Sequence, residues 1–139
     1  MQIIDVEQKS LDWYRMRAGK VTGTKLASAL GSNKVQETLS FKLISERMTE
    51  IQVSDFQTEA MQRGNDIEPF AIKAAEEILG VKFSTVGFIK HSSLDFGLSP
   101  DAVCYNEELD IIGGIEVKCP NSETHVGYIL SDEVPRKYL

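Results

Sequence analysis

The chain has 139 residues, 42% of them hydrophobic and 26% charged, with a formal net charge of −6; this suits a single domain, residues 1–139, with a buried core, and argues against non-specific coating of nucleic acid, which phosphate neutralisation drives. No apolar run reaches the roughly 18 residues of a membrane span, and the N-terminus lacks a basic region followed by an apolar one, so the expectation is an intracellular protein. Two cysteines, Cys104 and Cys119, are too few for a disulfide framework or a four-cysteine metal centre, and both are read as buried structural thiols.

Residues 8–18 are predicted to form a short helix capped by Ser10, with Leu11, Tyr14 and Ala18 at helical spacing and Gly19 at its end. A second helix is predicted from about Thr22 through Leu26, Ala27, Ala29 and Leu30 to Gly31. The turn between them, from Arg17 to Thr24, brings a guanidinium, the Lys20 ammonium and two threonine hydroxyls to a helix start. The guanidinium and the hydroxyls with the backbone amides suit a phosphate pocket, and the turn equally suits a plain helical hairpin with solvated charges.

Residues 31–37 read as a loop and residues 36–50 as an amphipathic helix, with Leu39, Leu43, Ile44, Arg47 and Met48 on its packed side. Residues 58–80 read as broken. Pro69 fits only a first turn, so the main helix is predicted to begin at about Asp66 or Ile67 and to carry the stripe Ile67, Phe70, Ala71, Ala74, Ala75, Ile78 and Leu79. Glu68 then lies in the first turn, where the helix dipole alone explains an acid.

After Gly80 the period changes to that of strands: one over residues 83–89, a second from Phe96 past Pro100 to Tyr105, and a third over residues 111–118. Short turns join them, which predicts an antiparallel meander within an α+β fold. A further helix is predicted over residues 122–130.

The chemistry concentrates on Ser99-Pro100-Asp101 and on Glu116-Val117-Lys118. Side chains two apart in a strand share a face, so Glu116 and Lys118 are expected on one side and Ile115, Val117 and Cys119 on the other. Hard carboxylate oxygens of Asp101 and Glu116, with the Val117 carbonyl between them, suit Mg2+ or Mn2+. Lys118 beside them suits orienting or deprotonating a water, or stabilising charge on a phosphate under attack. Glu68 reaches a second metal if its helix packs across the sheet edge. A pair of solvent-facing charges on a sheet is the bland alternative.

Several spaced motifs carry a resemblance: Trp13, Arg17, Gly19, Val21, Thr22 and Thr24; Arg63-Gly64 with Glu68-Pro69; Gly87-Phe88; Gly97 with Ser99-Pro100-Asp101; and Glu116-Val117-Lys118-Cys119-Pro120 with His125. In this order, from Trp13 to Tyr138, the chain resembles the YqaJ family of viral recombinases, which includes phage lambda-type alkaline exonucleases. The resemblance implies a PD-(D/E)xK nuclease with a restriction-endonuclease-like core: a central mixed sheet flanked by helices. It implies a metal-dependent phage exonuclease that degrades the 5′-ended strand of linear double-stranded DNA, leaving a 3′ overhang for a single-strand annealing protein in the cytoplasm of a bacterial host. By resemblance Asp101 and Glu116 are metal ligands, Lys118 is the catalytic lysine, Glu68 lies on the second-metal side, and Arg17, Thr24 and Ser99 grip the terminal 5′-phosphate. Thr24 stands where serine is usual and keeps the hydroxyl; Ala102 replaces a common glycine. Relatives continue past the Pro135 to Tyr138 motif into a glutamine-bearing helix and further strands, and assemble as a ring-shaped trimer. The expectation is therefore a domain shortened at its C-terminus, with a non-cleaving binder of a DNA end or a protein partner as the alternative.

Overall fold

Ser10 starts the first helix by accepting, on its hydroxyl, a hydrogen bond from the Trp13 N–H at 3.2 Å, which satisfies one of the donors that a helix start leaves open. The computed structural model describes residues 1–50, 52, 59–133 and 135, so Thr58 and Tyr138, which begin and end predicted features, lie outside the described residues. The chain divides into two compact units, Met1–Asp55 with Val81–Glu116, and Phe56–Gly80 with Val117–Leu139. The fold is α+β, with helices and, among the described residues, two small antiparallel sheets.

In the first unit α1 (Leu11–Arg17) ends at Gly19, whose φ of 67° lies in the left-handed region that glycine adopts without a Cβ clash. The helix predicted from Thr22 is shorter than its apolar spacing suggests. It is a 3-10 turn at Gly23–Lys25 leading into α2 (Leu26–Ala29). Next, α3 (Asn33–Thr49) begins ahead of its periodic residues, because the Gln36 N–H already donates to the Ser32 carbonyl at 2.9 Å; most of the predicted loop is helical. Its covered side is Leu39, Leu43 and Glu46. Ile44 and Met48, expected on that side, are 56% and 81% exposed. A lysine from the preceding turn meets Glu46 in the interior, and a buried charge pair, once formed, fixes which face of a helix points inward.

The same unit holds both sheets. In one, β1 (Gln2–Ile4), β2 (Phe88–Lys90) and β3 (Gly97–Leu98) pair antiparallel in that order. In the other, β4 (Ala102–Tyr105) pairs antiparallel with β5 (Ile111–Ile115) through Ala102↔Ile115, Val103↔Gly114 and Cys104↔Gly113. The predicted meander is thus divided at Pro100, which has no N–H to continue a ladder. A bridge from Ser84 to Val103, with bonds of 2.8 and 2.9 Å, extends the second sheet on its other side. Val86, Ile89 and Val103 form the apolar core, with Tyr105 and Ile111 packed on it. Gly87 is held by close approach, since an added Cβ would run into the Val6 backbone.

The third predicted strand is shorter in the structure than in the sequence reading: its ladder ends at Ile115, before Glu116. Its side-chain alternation nevertheless persists, with Ile112, Gly114, Glu116 and Lys118 exposed and Ile111, Gly113, Ile115, Val117 and Cys119 half-buried.

The second unit contains α4 (Glu59–Leu79) and α5 (Ser122–Ser131). The break predicted before Pro69 does not occur, and α4 runs through the proline. Strong helix formers on both sides, from Glu59 to Arg63 and from Ala71 to Glu77, outweigh one missing N–H. Two corrections follow. Glu68 sits mid-helix, so the first-turn dipole does not explain it. It also lies on the half-buried side with Gly64, Ala71, Ile72 and Ala75, whereas Phe70 and Ile78 of the predicted apolar stripe are 74% and 83% exposed. Asn121 caps α5 by accepting from the Thr124 N–H at 2.8 Å. Among the described residues no helix is long and apolar enough to cross a membrane.

Candidate functional site

Arg17 is the last residue of α1, and the helix delivers its guanidinium into the interior, where the residue is 7% exposed. Its Nη1 donates to the Ser99 hydroxyl at 3.1 Å and its Nε to the Gln52 carbonyl oxygen at 3.1 Å. Its carbon centre lies 4.0 Å over the Trp13 ring, one turn back on the same helix face. The Trp13 indole N–H in turn donates to the Ser99 hydroxyl and to the Gly87 carbonyl, both at 3.0 Å. Ser99 Oγ thus receives two donors, which occupy its two lone pairs and leave its own proton to point at an acceptor elsewhere.

Two consequences follow for an anion. Burial lowers the Arg17 pKa from its ordinary value, only partly offset by Tyr14 and Glu46, so the cation is short of solvation. Of its five N–H donors, Ser99 and Gln52 take two among the described residues, and the remainder suit bidentate contact with a phosphate. Arg17 and Ser99, both singled out in the sequence, are therefore brought together. Thr24 is exposed on the 3-10 turn with its hydroxyl 3.2 Å from that of Thr22; among the described residues it makes no hydrogen bond to Arg17 or Ser99. The helix start that was to supply backbone amides is a four-residue helix behind a 3-10 turn, so the guanidinium and the Ser99 hydroxyl are the principal donors of the cradle.

The periodicity of the sequence did not disclose what holds this turn. Lys25 and Glu46 form a buried ion pair at 2.6 Å, with side chains 9% and 0% exposed. Glu46 Oε2 also accepts from the Gly19 N–H at 3.1 Å, while Lys25 Nζ reaches the Lys20 carbonyl at 3.4 Å. Arg47, one residue on, donates to the Gly19 carbonyl at 3.1 Å. Helix α3, assigned in the sequence to packing, is thus the clamp on the turn. No local signal could have found it, because a lysine and a glutamate on separate elements share no period. The roles of Trp13 and Gln52 as polar partners were likewise unread.

Pro100 is buried, and its carbonyl accepts from the Gln8 side-chain amide at 2.9 Å, which also donates to the Val86 carbonyl at 2.8 Å. This anchor fixes the short segment carrying Ser99 on one side and Asp101 on the other, Cα atoms about 7 Å apart at most. The β4–β5 register ends with Ala102 opposite Ile115, so Asp101 and Glu116 are the next residues beyond the two paired strand ends. Asp101 is half-buried and Glu116 exposed. Two hard oxygen donors at facing strand ends fit the preference of Mg2+ or Mn2+ for one or two carboxylates, with water and substrate phosphate completing the shell. Among the described residues no group of three His, Cys, Asp or Glu side chains is gathered for a metal.

Asp101 and Glu116 belong to the first unit; Glu68, Val117 and Lys118 belong to the second. Lys118 is exposed, and Val117 and Glu68 are half-buried. Also in the second unit, Arg63 Nη2 donates to the Cys119 carbonyl at 3.0 Å, tying α4 to the segment that carries Lys118.

The fold is that of an alkaline exonuclease. The crystal structure of an alkaline exonuclease (LHK-Exo) from Laribacter hongkongensis matches with a TM-score of 0.76 and 32% identity over 93% of this chain and 63% of that one. The structure of LHK-Exo in complex with dAMP matches to the same degree, with a TM-score of 0.76 and 32% identity. The family model of the YqaJ-like viral recombinase domain matches residues 12–139. The chain belongs to that family and thus to a class of nucleases and recombinases. It spans 63% of the length of the LHK-Exo chain. No curated protein sequence is significantly similar to it.

Proposed function

We propose that the protein is a metal-dependent exonuclease that degrades the 5′-ended strand of linear duplex DNA and leaves a 3′ overhang for a single-strand annealing protein in a bacterial cytoplasm. One arrangement carries this reading: the buried Arg17–Ser99 cradle and the Asp101–Glu116 carboxylates are coupled through the anchored Ser99-Pro100-Asp101 segment. A 5′-phosphate in the cradle would add counter-charge to a guanidinium whose burial Tyr14 and Glu46 only partly offset, and it would accept from the Ser99 hydroxyl. Thr24 adds a hydroxyl at the rim. The bound end is thereby held beside the carboxylates, and such positioning supplies a large share of phosphoryl-transfer catalysis.

Asp101 and Glu116 would hold Mg2+ or Mn2+, with the Val117 carbonyl as a further oxygen donor and Glu68 on the side of a second ion. A divalent cation there would supply Lewis-acid stabilisation of the charge that develops on the phosphate. Lys118, two residues along the chain from Glu116, would donate from Nζ to the phosphate oxygens as they gain charge.

Nucleotide release from linear duplex, compared between 5′-phosphate and 5′-hydroxyl ends with Mg2+, Mn2+ or chelator, tests this. The expected result is metal-dependent release from the 5′-ended strand, faster from phosphorylated ends. Release that continues in chelator or in Lys118→Ala would refute it. Metal binding and end binding by the unaltered chain without cleavage would reassign it as an end-capturing protein.

A further inference from the structure

A second cationic feature lies on the outer side of the turn that Arg17 begins. Three basic side chains converge there on Asp95. Arg47 pairs with Asp95 at 2.6 Å and with the Gly19 carbonyl at 3.1 Å. Val21 donates to the Asp95 carbonyl at 2.9 Å and accepts from the Gly97 N–H at 3.1 Å, which places Lys20 beside the same residue. Lys90 faces Gly97 across the β2–β3 ladder and so closes the group from the other side. Partial burial and then Lys90 lower the pKa of the Lys20 ammonium; Asp95 opposes this, and Arg47 adds to the lowering. Asp95 gives one negative charge against three positive, and among the described residues neither Lys20 nor Lys90 has an ion-pair partner.

Such crowding of like charge costs the folded protein free energy that, among the described residues, Asp95 only partly offsets. A polyanion recovers it. The Lys20 N–H donates to the Arg17 carbonyl at 3.2 Å, so the group lies on the same turn as the cradle. We propose that Lys20 and Lys90, flanking the Arg47–Asp95 pair, form a contact surface for the internal phosphates of duplex DNA whose 5′ end occupies the Arg17 cradle. The proposal rests on the exonuclease reading for its substrate and adds a sequence-independent grip on the duplex. Arg47 shapes the surface and is itself committed to Gly19 and Asp95.

The test is fluorescence anisotropy of the full chain with a labelled, 5′-phosphorylated duplex in chelator over a range of salt, using the unaltered protein, Lys20→Gln/Lys90→Gln, and Lys20→Arg/Lys90→Arg. Each phosphate contact contributes about 0.9 to the slope of log affinity against log salt. The glutamine pair is expected to lower that slope by about 1.8 and to weaken binding equally across sequences, while the preference for a 5′-phosphate stays intact. The arginine pair should keep the slope. Without DNA, the melting temperature of the glutamine pair should equal or exceed that of the unaltered protein, because a repulsion has been removed. A slope unchanged in the glutamine pair would overturn the proposal, and so would a fall in slope that the arginine pair shares. If the unaltered protein does not bind duplex at all, the exonuclease reading falls with it. If duplex binds with no preference for a 5′-phosphate but the slope falls as stated, the cradle fails and this surface stands.

Discussion

The Arg17 cradle and the Asp101–Glu116 strand end adjoin on one segment and are built in opposite ways. In the cradle every polar group named is buried or bonded before any ligand arrives: Arg17 on Trp13, Ser99 and Gln52, and the following turn clamped by Lys25, Glu46 and Arg47. The strand end is more exposed. The ladder stops at Ile115, and Glu116 and Lys118 are exposed. On the proposed reading, recognition of an end is preorganised by the protein, whereas the chemistry falls to the more exposed groups past the strand ends. A buried guanidinium cannot rearrange cheaply and so would select; a half-buried and an exposed carboxylate would adjust more easily to a small, strongly hydrated ion.

This contrast can be broken from either side. The largest effect is expected at the strand end: Lys118→Ala should lower nucleotide release by about 10²- to 10⁴-fold, yet leave duplex affinity in chelator nearly unchanged. A parallel loss of affinity would show that the two regions do not divide the work in this way. Next in size, Glu46→Ala strands the Lys25 ammonium in the interior and should cost about 3–5 kcal/mol of stability, read from the denaturant midpoint. Replacing both members, Lys25→Met with Glu46→Leu, should cost much less and so separates the charge from the clamp. Arg17→Lys keeps a charge and loses the planar fork; the preference for 5′-phosphate over 5′-hydroxyl ends should fall by about 1.5–3 kcal/mol, roughly tenfold to a hundredfold.

The smallest effect concerns Asp95. The hydrogen bond from Arg47 holds its carboxyl below the usual range, helped by Lys20 and Lys90. A carboxylate lowered in the folded state contributes stability above its unfolded pKa, and that contribution is lost as the pH falls through the folded value. Both partners are more than half exposed, so Arg47→Ala should only slightly flatten the acid limb of stability against pH, measured between about pH 2 and 5.

The elements that were legible in the sequence are those with local signatures: the Ser10 cap, the glycine that ends α1, the alternation over residues 111–119, and the ordered motifs that point to the family. The failures have equally definite causes. Pro69 suggested a helix start because a proline is cheapest there, but the strong formers around it carry α4 through. The stripe of Phe70 and Ile78 suggested a buried face, yet the side bearing Glu68 is the covered one. On α3, Ile44 and Met48 were placed inward by hydrophobicity, while a charge pair decided the orientation. The single predicted meander became two sheets because Pro100 has no N–H for the ladder.

By itself, then, the sequence determined which chemical groups are present, their order, and the family to which they belong, since these are properties of identity and spacing. Only the tertiary structure decided that Ser99 takes bonds from both Arg17 and Trp13, that Asp101 and Glu116 lie just past the paired ends of β4 and β5, and that Glu46 rather than an apolar residue turns α3 inward. Each of these depends on residues far apart in the chain. Hydrogen-bond register and buried charge pairing leave no periodic mark on a sequence, and they become defined only when the backbone brings the partners within about 3 Å.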